Sequence, residues 1–266
     1  MGSLLYFCTI PMVITEIKSR VGYVTLNHPE KRNALGPEMV NALKTEIQSH
    51  LQNPEVKVVV LKSSSQVFCA GADLSYLSKI RDFTREENLA DSQNLRQLFD
   101  LIYNGDKIFV SEVVGPALAG GCGLATICDF CFASSESTFG YTESKIGFVP
   151  ALVMVYLQHR ISGNHLRDLL LTGRIVDGEE AIGMGLVNRL VLSGDMDAEV
   201  FDFAQGLCNS ISGSSIKYIK TMLRNLPGMA MDKALDYAAE TNADARKSED
   251  CIKGIDSFLS KQKISW

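Results

Sequence analysis

A single carboxylate, Glu143, stands among aromatic and small residues in FGYTESKIGFVP, residues 139–150. Ahead of it, VVGPALAGGCGLATICDF, residues 113–130, holds a strand-like run, a glycine pair and a helical run. The first N–H groups of a helix have no partner inside it, so such a junction can receive negative charge. An anion-receiving turn beside one carboxylate suits chemistry in which a thioester carbonyl becomes an enolate while a proton moves on a neighbouring carbon. A second turn, Ala70-Gly71-Ala72-Asp73, follows a strand and precedes a helix as Ala119-Gly120-Gly121-Cys122 does. Each could aim one N–H at a shared point, and two convergent donors are what an oxyanion needs. By spacing alone the plainer reading, two tight connections, is the stronger. Neither turn is a nucleotide-binding motif, since G-x-G-x-x-G after a strand and the Walker pattern are both missing.

These residues need elements to hold them. Residues 14–27 read as a hairpin (ITEIKSR, a turn at Val21-Gly22, then YVTLN), and the loop HPEKRNAL follows. Pro37 opens a helix with Met39, Leu43, Ile47 and Leu51 at helical spacing. Strands are expected over 56–62, 107–114 and 130–133. Thr84 caps a helix running from Arg85 to about Tyr103, with Glu87 completing a capping box. Helices are expected from about Gly121 and over 150–161 and 165–172; Gly183-x-Gly185 leads into a short strand, LVNRLVL. Beyond Asp195 the pattern is purely helical: FDFAQGLCNSI, SSIKYIKTMLRNL and MDKALDYAAETNADARKSE, broken by Ser-Gly and Pro227-Gly228. The alternation predicts an α/β core of repeated ββα turns over 1–195, with 1–12 a loose N-terminal extension, followed by a helical region over 196–266.

With 266 residues, 46% hydrophobic and 21% charged, the chain has an ordinary globular balance. A net charge of −5 argues against nucleic acid as the main partner. Seven cysteines at irregular spacing fit free, mostly buried thiols in a reducing, cytoplasmic setting. Cys128-x-x-Cys131 lacks a second pair for zinc and reads as packing. The start, MGSLLYFCTIPM, has no basic leader and is too short to span a membrane. No metal-ligand cluster is evident. None of His28, His50, His159 and His165 pairs with a nucleophile in a hydrolase motif; the last three read as surface or helix-side residues. Glu112, inside the strand KIFVSEVVG, reads as an edge-facing or intersubunit ion pair, with a displaced second acid as the alternative. Met154, Val155 and Leu157 read as core, ahead of the alternative that they line an acyl tunnel.

NHPEKRNAL, FCAGADL, the AGGCGLATICD block, FGYTESKIGFVP and LLLTGRIVDGEEAIGMGLVNRLV resemble, in order and spacing, the crotonase (enoyl-CoA hydratase/isomerase) superfamily over residues 14 to 192. The resemblance implies a ClpP/crotonase-type spiral of ββα units with a C-terminal helical trimerisation region, assembled as a homotrimer or dimer of trimers. It implies an acyl-CoA substrate, with coenzyme A entering as part of that substrate and no metal or other cofactor. By position, Ala72 and Gly120 match the two amides that grip the thioester oxygen, and Glu143 matches one of two catalytic glutamates. Lys31, Arg32 and Ala34 fall in the loop along CoA. Asp73 and Leu74, after Ala70, flank the adenine pocket; His28 shares the CoA loop. Gly121 adjoins the second amide, and Tyr141 flanks Glu143, shaping the acyl pocket or packing the strand end. Phe258 and Lys261 resemble tail residues that reach CoA on a neighbouring subunit.

The departure is Gly123, which stands where two-glutamate hydratases place an acid. Three readings follow: a single-glutamate hydratase, similar in wording to bacterial methylglutaconyl-CoA hydratase-like proteins of leucine degradation; a Δ3-Δ2 enoyl-CoA isomerase; or a CoA-thioester decarboxylase. A non-catalytic acyl-CoA-binding homologue is a further alternative. Lys79, Arg81 and Lys145 are candidates to meet a distal carboxylate, though each reads first as a surface charge.

Overall fold

The structure, a computed structural model, describes residues 11–266. Residues 1–10, including Cys8 and most of the expected extension, lie outside the described part. Pro11 and Met12 adjoin the first hairpin, their carbonyls accepting the Asn27 side-chain and backbone N–H groups.

The main sheet contains β1 (Val13–Lys18), β2 (Val21–Leu26), β3 (Val58–Ser63), β4 (Ile108–Val113), β6 (Phe130–Ser134) and β9 (Arg189–Val191), ordered β1-β2-β3-β4-β6-β9. Only the β1–β2 pair is antiparallel. The central strands are runs of Val, Ile and Phe because both their faces are covered. The β1–β2 turn falls at Ser19-Arg20, both at positive φ, as a tight two-residue hairpin requires, and not at Val21-Gly22. Gly22 lies within the ladder opposite Ile17. A Cβ there would stand 2.9 Å from His50 Nδ1, so this glycine admits the close approach of α1 (Pro37–Gln52). His50, on the inner side of α1, is buried against the sheet with Nε2 3.2 Å from Tyr23 O, so of its two readings, surface or helix-side, it takes the second.

One face of the sheet packs on α1, α3 (Arg85–Asn104) and α4 (Gly120–Thr126), through residues such as Leu43, Ile47, Phe99, Phe109 and Leu124. The Thr84–Glu87 capping box opens α3 as expected. The other face packs on α8 (Met196–Ser210), with Val200, Ala204 and Cys208 against Val21, Val58 and Val110. Residue 195 therefore ends the strand–helix alternation but is no packing boundary. Four helices, not three, complete the chain: α8, α9 (Gly213–Asn225), α10 (Met231–Arg246) and α11 (Glu249–Leu259), the last capped by the Ser248 side chain.

A second sheet, β5 (Ala117–Leu118), β7 (Thr138–Gly140) and β8 (Ile175–Asp177), has strands too short for periodicity to announce them. Short helices α2 (Leu74–Ile80), α5 (Ala151–Leu157), α6 (Gly163–Thr172) and α7 (Gly178–Met184) link the strands. Met154 and Val155 lie on the exposed side of α5, against the core assignment, whereas Val153 and Leu157 are buried. No helix among the described residues is long and apolar enough to cross a membrane.

Glu112 is on the third inner strand of the main sheet and is 4% exposed. Lys62 Nζ lies 3.1 Å from its Oε1 and also reaches Asp197 on α8. The pair is intrachain, neither at an edge nor between subunits. Glu112 shares the α8 face with Ile108 and Val110, whereas Ser111 on the opposite face donates to Ala125 O in α4. Strand alternation thus aims Glu112 away from the α4 side, so it is no displaced second acid.

Candidate active site

Three chain segments run parallel and side by side, each leading into one of the chemistry-bearing positions. Cys69 bridges Ala117, and Ala117 pairs with Phe139 in β7. The first pair is locked by Leu118 N–H on Cys69 O (2.9 Å) and Cys69 N–H on Pro116 O (3.2 Å). Three residues beyond the Cys69–Ala117 bridge come Ala72 and Gly120, each on its own chain. Glu143 follows β7 by three residues and opens a 3-10 turn, Glu143–Ile146.

The two turns touch through backbone. A Cβ on Gly71 would lie 2.7 Å from Ala119 Cβ and 2.8 Å from Leu118 O, and Gly71 is held at φ +89. A Cβ on Gly121 would lie 2.4 Å from Cys69 O. Glycine is needed at both places for this closeness. Among the described residues no oxygen accepts the N–H of Ala72 or of Gly120. Ala72 is exposed and Gly120 half-buried. Ala119, which caps α4, sits at φ +50, ψ −127, strained for a residue with a Cβ, and its N–H is fixed on Gly140 O at 2.7 Å. Such strain costs about 1–3 kcal/mol and persists where the surroundings enforce it. Here it turns the Gly120 amide at the head of a helix.

The Glu143 carboxyl has one oxygen, Oε2, buried with no hydrogen-bond partner among the described residues. Burial pushes its pKa above the ordinary 4.5. Tyr141 takes the plainer of its two roles. It is fully buried, with its hydroxyl 2.8 Å from Thr126 Oγ1 in α4, and so braces the strand end from the core. At Gly123 a Cβ would stand 2.2 Å from Val153 Cγ1. The space beside that position is filled by a valine of α5, and no side chain at 123 could occupy it without moving Val153.

A cleft of about 190 Å³ gathers Lys31, Ala34, Gly36, Asp73 and Lys79, with His28 at its wall. Lys31 Nζ donates to Asp73 Oδ2 at 2.7 Å, and Asp73 Oδ1 accepts from Ser75 N and Ser75 Oγ at the start of α2. The Lys31 ammonium, with these donors, holds the Asp73 carboxyl well below the usual carboxylate range. Arg32 is exposed at positive φ, and its carbonyl accepts the Ala70 N–H at 3.0 Å. Leu74 opens α2. Phe258, 83% exposed, and Lys261 lie at the end of α11. Arg81 pairs with Asp82, and Lys145 is exposed beside Glu143.

The family model described as Enoyl-CoA hydratase/isomerase matches residues 16–266. The chain belongs to the enoyl-CoA hydratase/isomerase family. Its crotonase fold is shared with a solved enoyl-CoA hydratase from Shewanella pealeana: TM-score 0.92 at 25% identity, covering 97% of each chain. A Thermus thermophilus protein named "Putative enoyl-CoA hydratase" is 40% identical over 245 residues, 92% of this chain and 96% of that one. The zebrafish enoyl-CoA hydratase domain-containing protein 3 is 28% identical over 255 residues, 96% and 87% of the two chains. The family's motifs carried the sequence reading to Ala72, Gly120 and Glu143. Three features of this crotonase escaped it: the strained Ala119, the Val153 side chain against Gly123, and the buried amide of Asn33. The only available signal was a polar residue between two loop turns in RNAL.

Proposed function

We propose that this enzyme is an enoyl-CoA hydratase in which the Ala72 and Gly120 amides polarise the thioester carbonyl and Glu143 moves the proton. The observation that carries this reading is the pair of open N–H groups three residues past one backbone bridge, beside a carboxyl with an unpartnered buried oxygen. In hydration, Glu143 takes a proton from water as the C3–O bond forms, and charge gathers on the thioester oxygen between the two amides. The same carboxylic acid then gives the proton to C2 as the enolate collapses. Losing one such amide typically costs about 3 kcal/mol of transition-state stabilisation. The cleft at Lys31, Ala34 and Asp73 supports a nucleotide-bearing substrate, coenzyme A.

The packing of Val153 on Gly123 favours a second reading, a Δ3-Δ2 enoyl-CoA isomerase. There one acid suffices: Glu143 removes a proton from C2 and returns it at C4, and no water is bound. 3-Methylglutaconyl-CoA is the first branched substrate to test, with exposed Lys145 as the cation for its distal carboxylate. A homotrimer or dimer of trimers in the cytoplasm, acting on neither nucleic acid nor membranes, completes the proposal.

The test is turnover of crotonyl-CoA, 3-methylglutaconyl-CoA and a 3-enoyl-CoA, read as loss or gain of the conjugated thioester absorbance. Hydration of either of the first two is expected, falling about 10²–10⁴-fold in Glu143→Gln. Reaction of the 3-enoyl substrate alone replaces hydratase with isomerase. Full rate in Glu143→Gln overturns the assignment.

A further inference from the structure

Asn33 is 0% exposed and held at φ +54, a left-handed conformation that asparagine tolerates better than most residues. Its carboxamide is spent entirely on fixing one loop against another. Nδ2 donates toward Ser63 Oγ (2.8 Å), Val67 O (3.0 Å) and Phe68 O (3.1 Å), and Oδ1 accepts the His28 N–H (2.8 Å). Its backbone carbonyl accepts the Cys69 thiol at 3.0 Å. Ser63 relays the same tie, donating to Val67 O and accepting from Ser65 N–H. Two backbone bonds continue the seam on either side: Ala70 N–H to Arg32 O, and Leu35 N–H to Gly71 O at 2.6 Å. The seam ends at the Leu35–Ala72 bridge.

Two functional features therefore share one anchor. The loop 28–36 carries Lys31 and Ala34 of the cleft; the segment 63–72 ends at the Ala72 N–H. Between β3 and Cys69 the chain has no regular structure of its own, so the Asn33 amide sets where it enters the turn. We infer that Asn33 is a positioning residue for the Ala72 amide: its Nδ2 donors hold that amide in line with the Gly120 amide, while its Oδ1, on the His28 N–H, separately holds the cleft loop. The inference rests on the proposed oxyanion role of those amides.

Asparagine-to-aspartate is the sharpest change, because it keeps the shape and puts an acceptor where three acceptors converge. The probes are butyryl-CoA, which has a thioester carbonyl, and S-butyl-CoA, the thioether without one, with affinities measured by calorimetry on the full chain. The wild type is expected to prefer the thioester about tenfold, the worth of a hydrogen bond or two. Asn33→Asp is expected to reduce that preference below about twofold while thioether affinity stays within threefold. With an accepted enoyl-CoA, kcat should fall about a hundredfold and KM change less than threefold. Ser63→Ala, a milder cut in the same tie, should move both readouts the same way by a smaller factor, and carries the test if Asn33→Asp does not fold. No preference in the wild type would remove the oxyanion reading itself. A wild-type preference retained in folded Asn33→Asp, or in Ser63→Ala where Asn33→Asp fails to fold, would overturn the role of Asn33 alone. Equal loss of affinity for both probes would do the same, as it would mark a collapsed cleft.

Discussion

Two carboxyls, Glu143 and Glu112, each with a buried oxygen lacking a hydrogen-bond partner among the described residues, are both pushed upward by burial, yet they belong to different accounts. Glu143 makes no ion pair among the described residues, and the proposed function gives it the proton transfer. As the base that receives a proton, it must be ionised, so kcat/KM should rise through an acid limb displaced above pH 4.5 and then level. A limb at or below 4.5 would contradict that role. Glu112, set against Lys62 and Asp197, serves stability. Burial outweighs the Lys62 attraction and holds its carboxyl at about 7 against an ordinary 4.5. Between those values the folded chain keeps a proton that the unfolded chain has released. Its contribution is thus full below pH 4.5 and lost as pH rises toward 7. Urea melts of the wild type and Glu112→Gln should differ in slope over that window, by about 1–3 kcal/mol in total. Parallel curves would deny the shift. At this scale the candidates Glu143, Ala72 and Gly120 could be named from the sequence because motifs are local strings. Asn33 could not, since the acceptors of its amide N–H groups lie thirty or more positions away and only folding brings them near.

Among the elements, the long central strands were legible from their valine runs, and α3 from its capping box. The turn of the first hairpin was misplaced because Gly22 marks a helix contact, and a glycine does not say which constraint it answers. The small β5-β7-β8 sheet was hidden by strands of two and three residues, although its strand β7 leads into the turn that opens at Glu143. At the α4–α5 contact, Val153 packs directly against Gly123. Gly123→Ala places a methyl 2.2 Å from Val153 Cγ1 and should cost about 1–3 kcal/mol of stability. Val153→Ala in the same chain should recover much of it, giving a favourable coupling of about 1 kcal/mol or more in a double-mutant cycle. Additive effects would mean that α5 does not close the position.

Over the whole molecule, the C-terminal helices leave large apolar side chains in the open: Leu223 on α9, Leu235 on α10, and Ile252, Ile255 and Phe258 on α11. Apolar surface on this scale marks an interface more often than a free face. Sedimentation of the full chain should show three or six copies, and Leu235→Asp with Phe258→Asp should shift it toward smaller species. A wild-type monomer would contradict the proposed assembly. The packing of α8 onto the main sheet ties this region to the core, so a disturbed interface should also lower the thermal midpoint.

The vibrational spectrum of ¹³C-carbonyl crotonyl-CoA bound to Glu143→Gln tests the shared grip of Ala72 and Gly120 most directly. The account expects the thioester carbonyl band to fall in frequency on binding, as two peptide donors draw charge onto its oxygen. A bound carbonyl with the frequency it has in water would contradict it.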